Sequence, residues 1–319
     1  RAVLAQDKGQ VTFSGTVNLD SKDVGDAALV NIGLQSENEG SQITMKDSAV
    51  VNINSNRGIG VHVRDQGRVI VNDQAGVTFS NDKKDQIGFL ISGITSTPNS
   101  KPAIEYNSTK DIQVKGENSV LMRIERGSQF TSNTLGGTHK PSSFDSNNSK
   151  NSTLMLVTSG ATAKHDKESW QTQADLSNIE LKVSGENAKG VAVQGGANAK
   201  ITDSTKFSVE GDGATLAEID GKYYDLNGKE APNSLNGVHS TAKSILESAA
   251  ILDASSFKAT NSTGYLVKNN GVLSHSGRID FTGNSNNNVG VKVVDGGKLV
   301  NNENSFIKVK GNAIEVSGN

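Results

Sequence analysis

The 319-residue sequence contains no cysteine. This absence excludes disulfide bonds, thiolate metal sites and cysteine nucleophiles together. Proline is also scarce, at four residues, and aromatic residues make up only 4% of the chain. A sequence so poor in large apolar side chains predicts a thin core rather than a thick layered one.

Charge of one sign and long apolar runs are lacking as well. The chain has 32 basic and 34 acidic residues, and the two kinds are intermixed along the sequence. No cluster of basic residues indicates binding to nucleic acid or to anionic lipid. The apolar runs are only a few residues long, so none of them predicts a membrane-spanning helix.

Short alternating segments rich in β-branched residues are what the sequence does contain. Examples are residues 11–13, 50–54, 61–63, 69–71, 112–114, 181–183, 191–193 and 291–293. Glycine, asparagine, aspartate or serine bounds each segment, which is typical of strands ended by tight turns. Helical periodicity is nearly absent. The sequence therefore predicts an all-β protein.

These segments recur at a regular interval in the last third of the chain. Phe257, Phe281 and Phe306 mark it, since they follow one another at nearly equal spacings. A fixed period in the twenties predicts a solenoid, in which each unit buries its apolar side by stacking on the next. Three short strands with their turns fill one such unit. We expect a three-sided coil of about 13 rungs, with phenylalanine and valine stacked inside.

Four segments interrupt the period, and all four prolines lie in them. Proline cannot donate a hydrogen bond to a β ladder, so these segments are predicted to project from the coil as loops. Insertions of this kind often form the binding surface of a solenoid. The predicted loops are residues 92–110, 132–152, 164–173 and 220–236.

Two units show the repeat most clearly, at residues 186–211 and 284–311. Both read Gly-Val-x-Val, then a Gly-Gly turn, then a segment with phenylalanine and valine that ends in glycine. With weaker copies at 57–81 and 264–283, this pattern resembles the passenger domains of autotransporters, the proteins of type V secretion. The resemblance implies a right-handed three-sided parallel β-helix of the pertactin-like plan, as one solenoid over residues 1–319.

The same resemblance implies a longer precursor with a signal peptide and a C-terminal membrane barrel outside this segment. It also implies display on the bacterial cell surface or secretion across the outer membrane. The lack of cysteine suits a chain that crosses the periplasm unfolded. A general scarcity of cysteine is the other explanation for it.

Motifs for catalysis and metal binding are lacking. The sequence has neither a Gly-Asp-Ser-Gly nor a Gly-x-Ser-x-Gly nucleophile motif, and its five histidines are far apart. It also has no glycine-rich calcium repeat and no phosphate-binding loop. We therefore expect no enzymatic activity, no cofactor and no metal.

A carbohydrate-active β-helix is the alternative that the sequence leaves open. Asp203, Asp212 and Asp220 lie near one another in the sequence, with Lys200 and Lys206 nearby. Aspartate is also a common turn residue, which is the simpler interpretation of all three. A groove holding two or three carboxylates within about 10 Å would favour the enzyme.

The candidate binding residues are aromatic residues in the predicted loops and pairs of asparagines in turns. They are Trp170, Tyr223, Tyr224, Asn269, Asn270, Asn301 and Asn302. An aromatic side chain in a loop can stack on a sugar or anchor a protein contact, and it can also simply pack the loop onto the coil. Asparagines repeated along a rod can contact another molecule many times, or merely occupy corners.

The leading functional hypothesis is a surface-displayed adhesin or a factor in aggregation and biofilm formation, with a role in virulence. Its expected partners are a host glycan, an extracellular-matrix protein or another copy of the chain. A lyase or glycoside hydrolase, or a passive structural stalk, is the alternative.

Overall fold

The computed structural model describes residues 1–20, 31–92, 103–132, 142–159, 171–224, 229–231, 234–235, 238–239, 243–281, 287–309 and 314–318. Nearly all regular structure in these ranges is strand. The one helical element there is a single 3₁₀ turn at Ala254–Ser256. The prediction of an all-β protein is confirmed.

The longest sheet, face A, contains eleven strands. Its strands are parallel, and each one pairs with the face A strand of the next turn. In order they are Val3–Ala5, Ile32–Glu37, Ile59–Arg64, Ile87–Ile91, Val120–Glu125, Thr153–Thr158, Lys189–Gln194, Thr215–Asp220, Thr263–Lys268, Val289–Val294 and Ile314–Ser317.

Face B is a second parallel sheet of ten strands. Each of its strands follows a face A strand along the chain. In order they are Gln10–Phe13, Gln42–Met45, Arg68–Val71, Ala103–Tyr106, Gln129–Ser132, Gln173–Leu176, Asn198–Ile201, Ile245–Ser248, Val272–His275 and Lys298–Asn301.

Face C, the third side, consists of three shorter parallel sheets. The first contains Thr16–Leu19, Val50–Ile53 and Gly76–Phe79. The second contains Ile112–Gln113, Ser142–Asp145, Ile179–Val183 and Lys206–Val209. The third contains Ile251–Leu252, Arg278–Phe281 and Phe306–Val309. An isolated parallel bridge pairs Val209, at the end of the second sheet, with Phe257, which follows Ile251–Leu252 along the chain.

The three faces together form a three-sided parallel β-helix, as the sequence predicts. Because strands of one sheet lie about 4.8 Å apart, the eleven turns of face A span about 48 Å. The described residues contain eleven turns of face A rather than about 13, because some turns are much longer than the sequence period. Ala217 pairs with Tyr265 of the next turn, and Tyr265 pairs with Val291 of the turn after that. The first of these steps is almost twice as long in sequence as the second.

The core is a narrow prism filled by the inward-facing side chains of all three faces. Phe89 of face A, Tyr106 of face B and Phe144 of face C meet edge to face inside it, with ring centroids 6.0 and 5.3 Å apart. One inward column of face A runs through nine turns. Its members are Leu34, Val61, Phe89, Met122, Met155, Val191, Ala217, Tyr265 and Val291, all fully buried.

The phenylalanines that define the sequence period do not form one stacked column. The backbone of Phe306 pairs with Arg278 rather than with Phe281. Phe306 is 43% exposed, and the Arg278 guanidinium lies 5.4 Å from its ring centroid. Ile279 is fully buried in the same strand as Phe281, and its partner in the last turn is Ile307. The inside of face C thus needs an apolar side chain at this level, but not phenylalanine.

Whole strands of the coil also lie inside two of the ranges predicted as loops. Ala103–Tyr106 belongs to face B and Ser142–Asp145 to face C. The predicted range 164–173 lies outside the described residues except for 171–173. The range 220–236 begins with Asp220, which ends a face A strand, and contains the antiparallel pair of Tyr223–Tyr224 with Glu230–Ala231.

Long connections concentrate at one corner of the coil. Three of the four longest connections between consecutive strands of the coil run from face A to face B. They join Ile91 to Ala103, Thr158 to Gln173 and Asp220 to Ile245. The last of these holds the pair Tyr223–Tyr224 and Glu230–Ala231, and a second antiparallel pair, Ser234–Leu235 with Val238–His239. The corner between faces A and B is therefore where the regular coil is most elaborated.

Candidate functional site

The outward-facing side chains of face A are unusually buried in its middle turns. Leu90, Arg123, Leu156 and Glu218 occupy one outward row, because their neighbours in sequence point into the core. Their exposed fractions are only 4, 5, 9 and 4%. An outward row of a solvated sheet face is normally open to water, so this part of face A is covered.

The antiparallel pair of Tyr223–Tyr224 with Glu230–Ala231 provides part of the cover, and we call it the hairpin. An Arg123 guanidinium nitrogen donates to the backbone carbonyl oxygen of Tyr224 at 3.5 Å. The strand of Arg123 lies three strands before the strand that leads into the hairpin. The hairpin therefore folds back along the coil over about 14 Å of face A.

Asp220 holds the base of the hairpin. Its carboxylate is fully buried and accepts hydrogen bonds from the Lys222 backbone N–H at 2.9 Å and the Asn269 side-chain amide at 2.7 Å. The Tyr224 hydroxyl donates to it at 3.0 Å, and the Lys268 ammonium lies 3.2 Å away. A buried carboxylate needs this many partners to offset its lost hydration.

Three further ion pairs extend this network across face A. The Glu218 carboxylate lies 2.8 Å from the Lys189 ammonium and 3.6 Å from that of Lys268. The Arg123 side chain donates to the Glu125 carboxylate at 2.8 Å, and both side chains are only 6% exposed. Acidic and basic groups are thus paired along the outer surface of the sheet.

The network shifts two ionisation equilibria. Burial lowers the pKa of Lys268, but the Glu218 and Asp220 carboxylates outweigh it, and the pKa lies above its ordinary value. Burial raises the pKa of the Tyr224 hydroxyl, and the negative charge of Asp220 raises it further. Lys268 is therefore a cation and Tyr224 a neutral donor at neutral pH.

Beside the hairpin, face A forms a groove of about 660 Å³. Ile87, Val120, Leu156 and Ala192 are its apolar lining residues, and charged, amide, hydroxyl and phenol side chains form the rest. The lining residues are Arg57, Asp85, Ile87, Asn118, Val120, Arg123, Thr153, Leu156, Lys189, Ala192, Gln194, Glu218, Tyr224 and Lys268.

The structure brings two of the candidate residues to this groove. Tyr224 lines it, and Asn269 binds Asp220 at its end. Tyr223 is 9% exposed, and its Cβ lies close to Gly195. It packs the hairpin onto the coil, which is the structural role left open for the loop aromatics. Trp170 lies outside the described residues.

Asn270, Asn301 and Asn302 lie apart from the groove, and all four candidate asparagines lie at or next to turns. Asn269 and Asn270 form a corner between faces A and B, both with positive φ, at 50° and 64°. Asn301 ends a strand of face B, and the Asn302 amide donates to the Ser274 hydroxyl at 2.9 Å. These positions agree with the corner role for asparagine. A contact of Asn270, Asn301 or Asn302 with another molecule stays a prediction.

Sequence reasoning missed Arg123, Lys189, Glu218 and Lys268, although they form most of the ionic network. The available signal is a charged residue at an outward position of a β-branched strand. That signal is weak, because charged residues at such positions are ordinary in solvated sheets. Only the register of face A shows that these four lie together.

The three aspartates considered for catalysis are separated by the fold. Asp203 lies in the turn from face B to face C, Asp212 in the turn from face C to face A, and Asp220 at the end of a face A strand. A different pair of carboxylates does meet. Glu218 and Asp220 share the Lys268 ammonium at 3.6 and 3.2 Å, so these oxygens are at most about 7 Å apart, closer than the ~10 Å limit set for the enzyme.

The described ranges contain neither a candidate metal site nor a candidate membrane-spanning helix. No group of three or more histidine, aspartate or glutamate side chains there is arranged to hold a metal ion. No helix in the same ranges is long and apolar enough to cross a membrane.

Comparisons with models of known protein families, with curated proteins and with solved structures gave no match. The fold is therefore established by strand order and register alone. The likeness to autotransporter passengers rests on the sequence pattern.

Proposed function

We propose that this chain is a binding rod of the autotransporter passenger class, displayed on a bacterial surface as an adhesin or aggregation factor. The β-helix acts as the spacer, and the outer surface of face A with its hairpin acts as the contact. Its partner is a host glycan, a matrix protein or another copy of the chain. Binding involves no cofactor and no catalytic step.

The hairpin is the observation that supports this proposal most. Each strand of the three faces is parallel to its neighbours, but the hairpin is antiparallel, leaves the coil and returns across face A. Tyr224 is only half-buried and lines a polar groove, whereas Tyr106 and Tyr265 are fully buried in the core. A half-exposed aromatic ring beside fixed hydrogen-bonding groups is typical of a recognition surface.

Replacing residues 223–231 with Gly-Ser-Gly tests the proposal. Asp220 is kept, since it is buried and retains Lys222, Lys268 and Asn269 as partners. We expect at least a tenfold loss of adhesion of rod-coated beads to epithelial cells or to one another. The free energy of urea-induced unfolding should change by no more than about 2 kcal/mol.

Adhesion that is unchanged by this replacement would show that the hairpin is not the contact. If the wild-type rod binds neither cells nor itself, the chain is a passive stalk. A large loss of stability would instead assign the hairpin a structural role, which urea unfolding measures independently of adhesion.

A polysaccharide-active enzyme is the second candidate function, favoured by the close approach of Glu218 and Asp220. Both carboxylates are engaged by lysine, whereas a general acid needs a proton to transfer. This pairing is the reason binding is proposed ahead of catalysis. Release of reducing sugar from plant or bacterial polysaccharides by the wild-type rod, and its loss in Glu218→Gln, would reverse that order.

A further inference from the structure

The groove runs along the axis of the coil rather than across it. Arg57 precedes the third strand of face A, Asp85 the fourth and Asn118 the fifth. The sixth to ninth strands follow with further lining residues, namely Thr153, Lys189, Glu218 and Lys268. Seven consecutive turns span about 29 Å, so the groove is an elongated track and not a round pocket.

Only side chains are available to a ligand in this track. The backbone groups of face A are used in the ladder with the turns above and below. An extended peptide bound here would leave its own N–H and C=O groups without the regular partners that a sheet edge supplies. Side-chain amides, carboxylates and ammonium groups suit a ligand whose polar groups are hydroxyls, since each hydroxyl both donates and accepts.

The basic side chains of Arg123, Lys189 and Lys268, which line the track, are paired with carboxylates. Lys189 and Lys268 pair with Glu218, and Lys268 also pairs with Asp220. Arg123 pairs with Glu125. A strongly anionic or cationic ligand would have to break these pairs, whereas a neutral ligand can hydrogen-bond to their remaining donors and acceptors.

The floor and the hairpin give the track an apolar component of the right shape. Ile87 and Val120, both half-buried at the start of their face A strands, line the track, and Tyr224 lines it as well. The flat carbon face of a pyranose ring packs against such surfaces while its hydroxyls point to the sides. The rungs repeat every ~4.8 Å, close to the length that one sugar residue occupies in an extended chain.

We propose that the face A groove binds a neutral linear polysaccharide, which lies parallel to the coil axis with roughly one sugar residue per rung. At about 29 Å the track accommodates roughly six residues. This inference rests on the proposed function as a binding rod and specifies its ligand class and binding mode.

The length dependence of binding is the direct test. Calorimetric titrations of the rod would use cello-, xylo-, malto- and chito-oligosaccharides of two to eight residues. One series is expected to bind with an affinity that rises up to about six residues and then stays level. The affinity should change less than threefold between ~0.1 and ~1 M NaCl, since no net charge is neutralised.

Two matched variants locate the site. Thr153 is a half-buried outward residue of face A in the groove, and Thr131 is a half-buried outward residue of face B outside it. Thr153→Trp places an indole in the track and should lower the affinity at least tenfold. Thr131→Trp should leave the affinity within twofold of the wild type.

Three results would overturn the inference. One is tighter binding of uronate or sulfated polymers that disappears with salt, which would mean that charge selects the ligand. A second is equal loss of affinity in the two variants. The third is no binding of any neutral oligosaccharide by a rod that still adheres to cells, which would leave the proposed adhesive function intact. If the wild-type rod neither binds a neutral oligosaccharide nor adheres to cells, both the proposed function and this inference are rejected.

Discussion

His62 is a histidine on the outer surface of face A that the structure keeps uncharged. Its Nε2 lies 2.9 Å from the Ser92 hydroxyl. Burial lowers its pKa from 6.5 to about 4, and the positive charge of Arg64 acts in the same direction. Protonation of this ring therefore opposes folding.

Acidification destabilises the folded protein through His62. Between pH 6.5 and about pH 4 the unfolded chain protonates this histidine, whereas the folded chain does not. The His62 contribution to stability is therefore lost as the pH falls through this window, by about 2–3 kcal/mol in total. His62→Gln should remove that part of the decline in urea unfolding measured from pH 7 to pH 4.

The difference between wild type and variant is the quantity to compare. Burial also lowers the pKa of His275, so the variant will retain some acid sensitivity of the same sign. Parallel stability–pH curves for the two proteins would show that His62 is not held neutral in the fold.

At the residue scale, the sequence predicts which kinds of side chain are inside better than which residues stack. The short valine and isoleucine segments do supply the buried columns, since period-two alternation is a local property. The phenylalanine period predicts that Phe281 stacks on Phe306. This prediction is wrong, because the register of the last turn of face C pairs the backbone of Phe281 with that of Val309. The register between turns depends on the length of each individual corner, and an average sequence period does not show these lengths.

At the element scale, the corners of the coil decide how closely the turns stack. At Gly116 the φ angle is +82°, and a Cβ there would lie 1.8 Å from the backbone oxygen of Lys83 in the preceding turn. At Gly211 a Cβ would lie 2.0 Å from the backbone oxygen of Gly185. The repeated glycines therefore mark places where backbone packs directly on backbone.

Gly116→Ala should consequently destabilise the coil. The left-handed conformation alone costs about 1–2 kcal/mol for a residue with a Cβ, and the contact with Lys83 adds to it. Gly15→Ala is the matched control, since its Cβ would meet only the Phe13 side chain, at an ordinary 3.7 Å. Equal unfolding midpoints in urea for the two variants would contradict this account of the corners.

The projecting elements were only partly predictable from the sequence. Proline and a broken period direct attention to the segment after Asp220, where the hairpin lies. They do not reveal that Ala103–Tyr106 and Ser142–Asp145 rejoin the coil, because a four-residue strand next to an insertion has too few residues to show a period. The ionic network under the hairpin depends on the pairing of strands between turns, so no local sequence pattern predicts it.

At the scale of the whole molecule, the protein is a β-helix whose elaborated corner and covered outer surface lie on the same side. The hairpin and the groove both belong to that side. In the proposed function, faces B and C act as the spacer. A rod with one specialised face can contact a partner along its length, so that modest contacts at successive rungs add together.

One measurement tests most directly whether face A is the contact surface. Because the chain has no cysteine, a maleimide reagent modifies only a cysteine that is introduced. Thr153→Cys and Thr131→Cys rods would each be modified with a maleimide-linked polyethylene glycol, and the adhesion of beads coated with each product would be measured. If face A is the contact surface, the polymer at residue 153 abolishes adhesion and the polymer at residue 131 leaves it unchanged. Equal adhesion of the two modified rods would contradict the account.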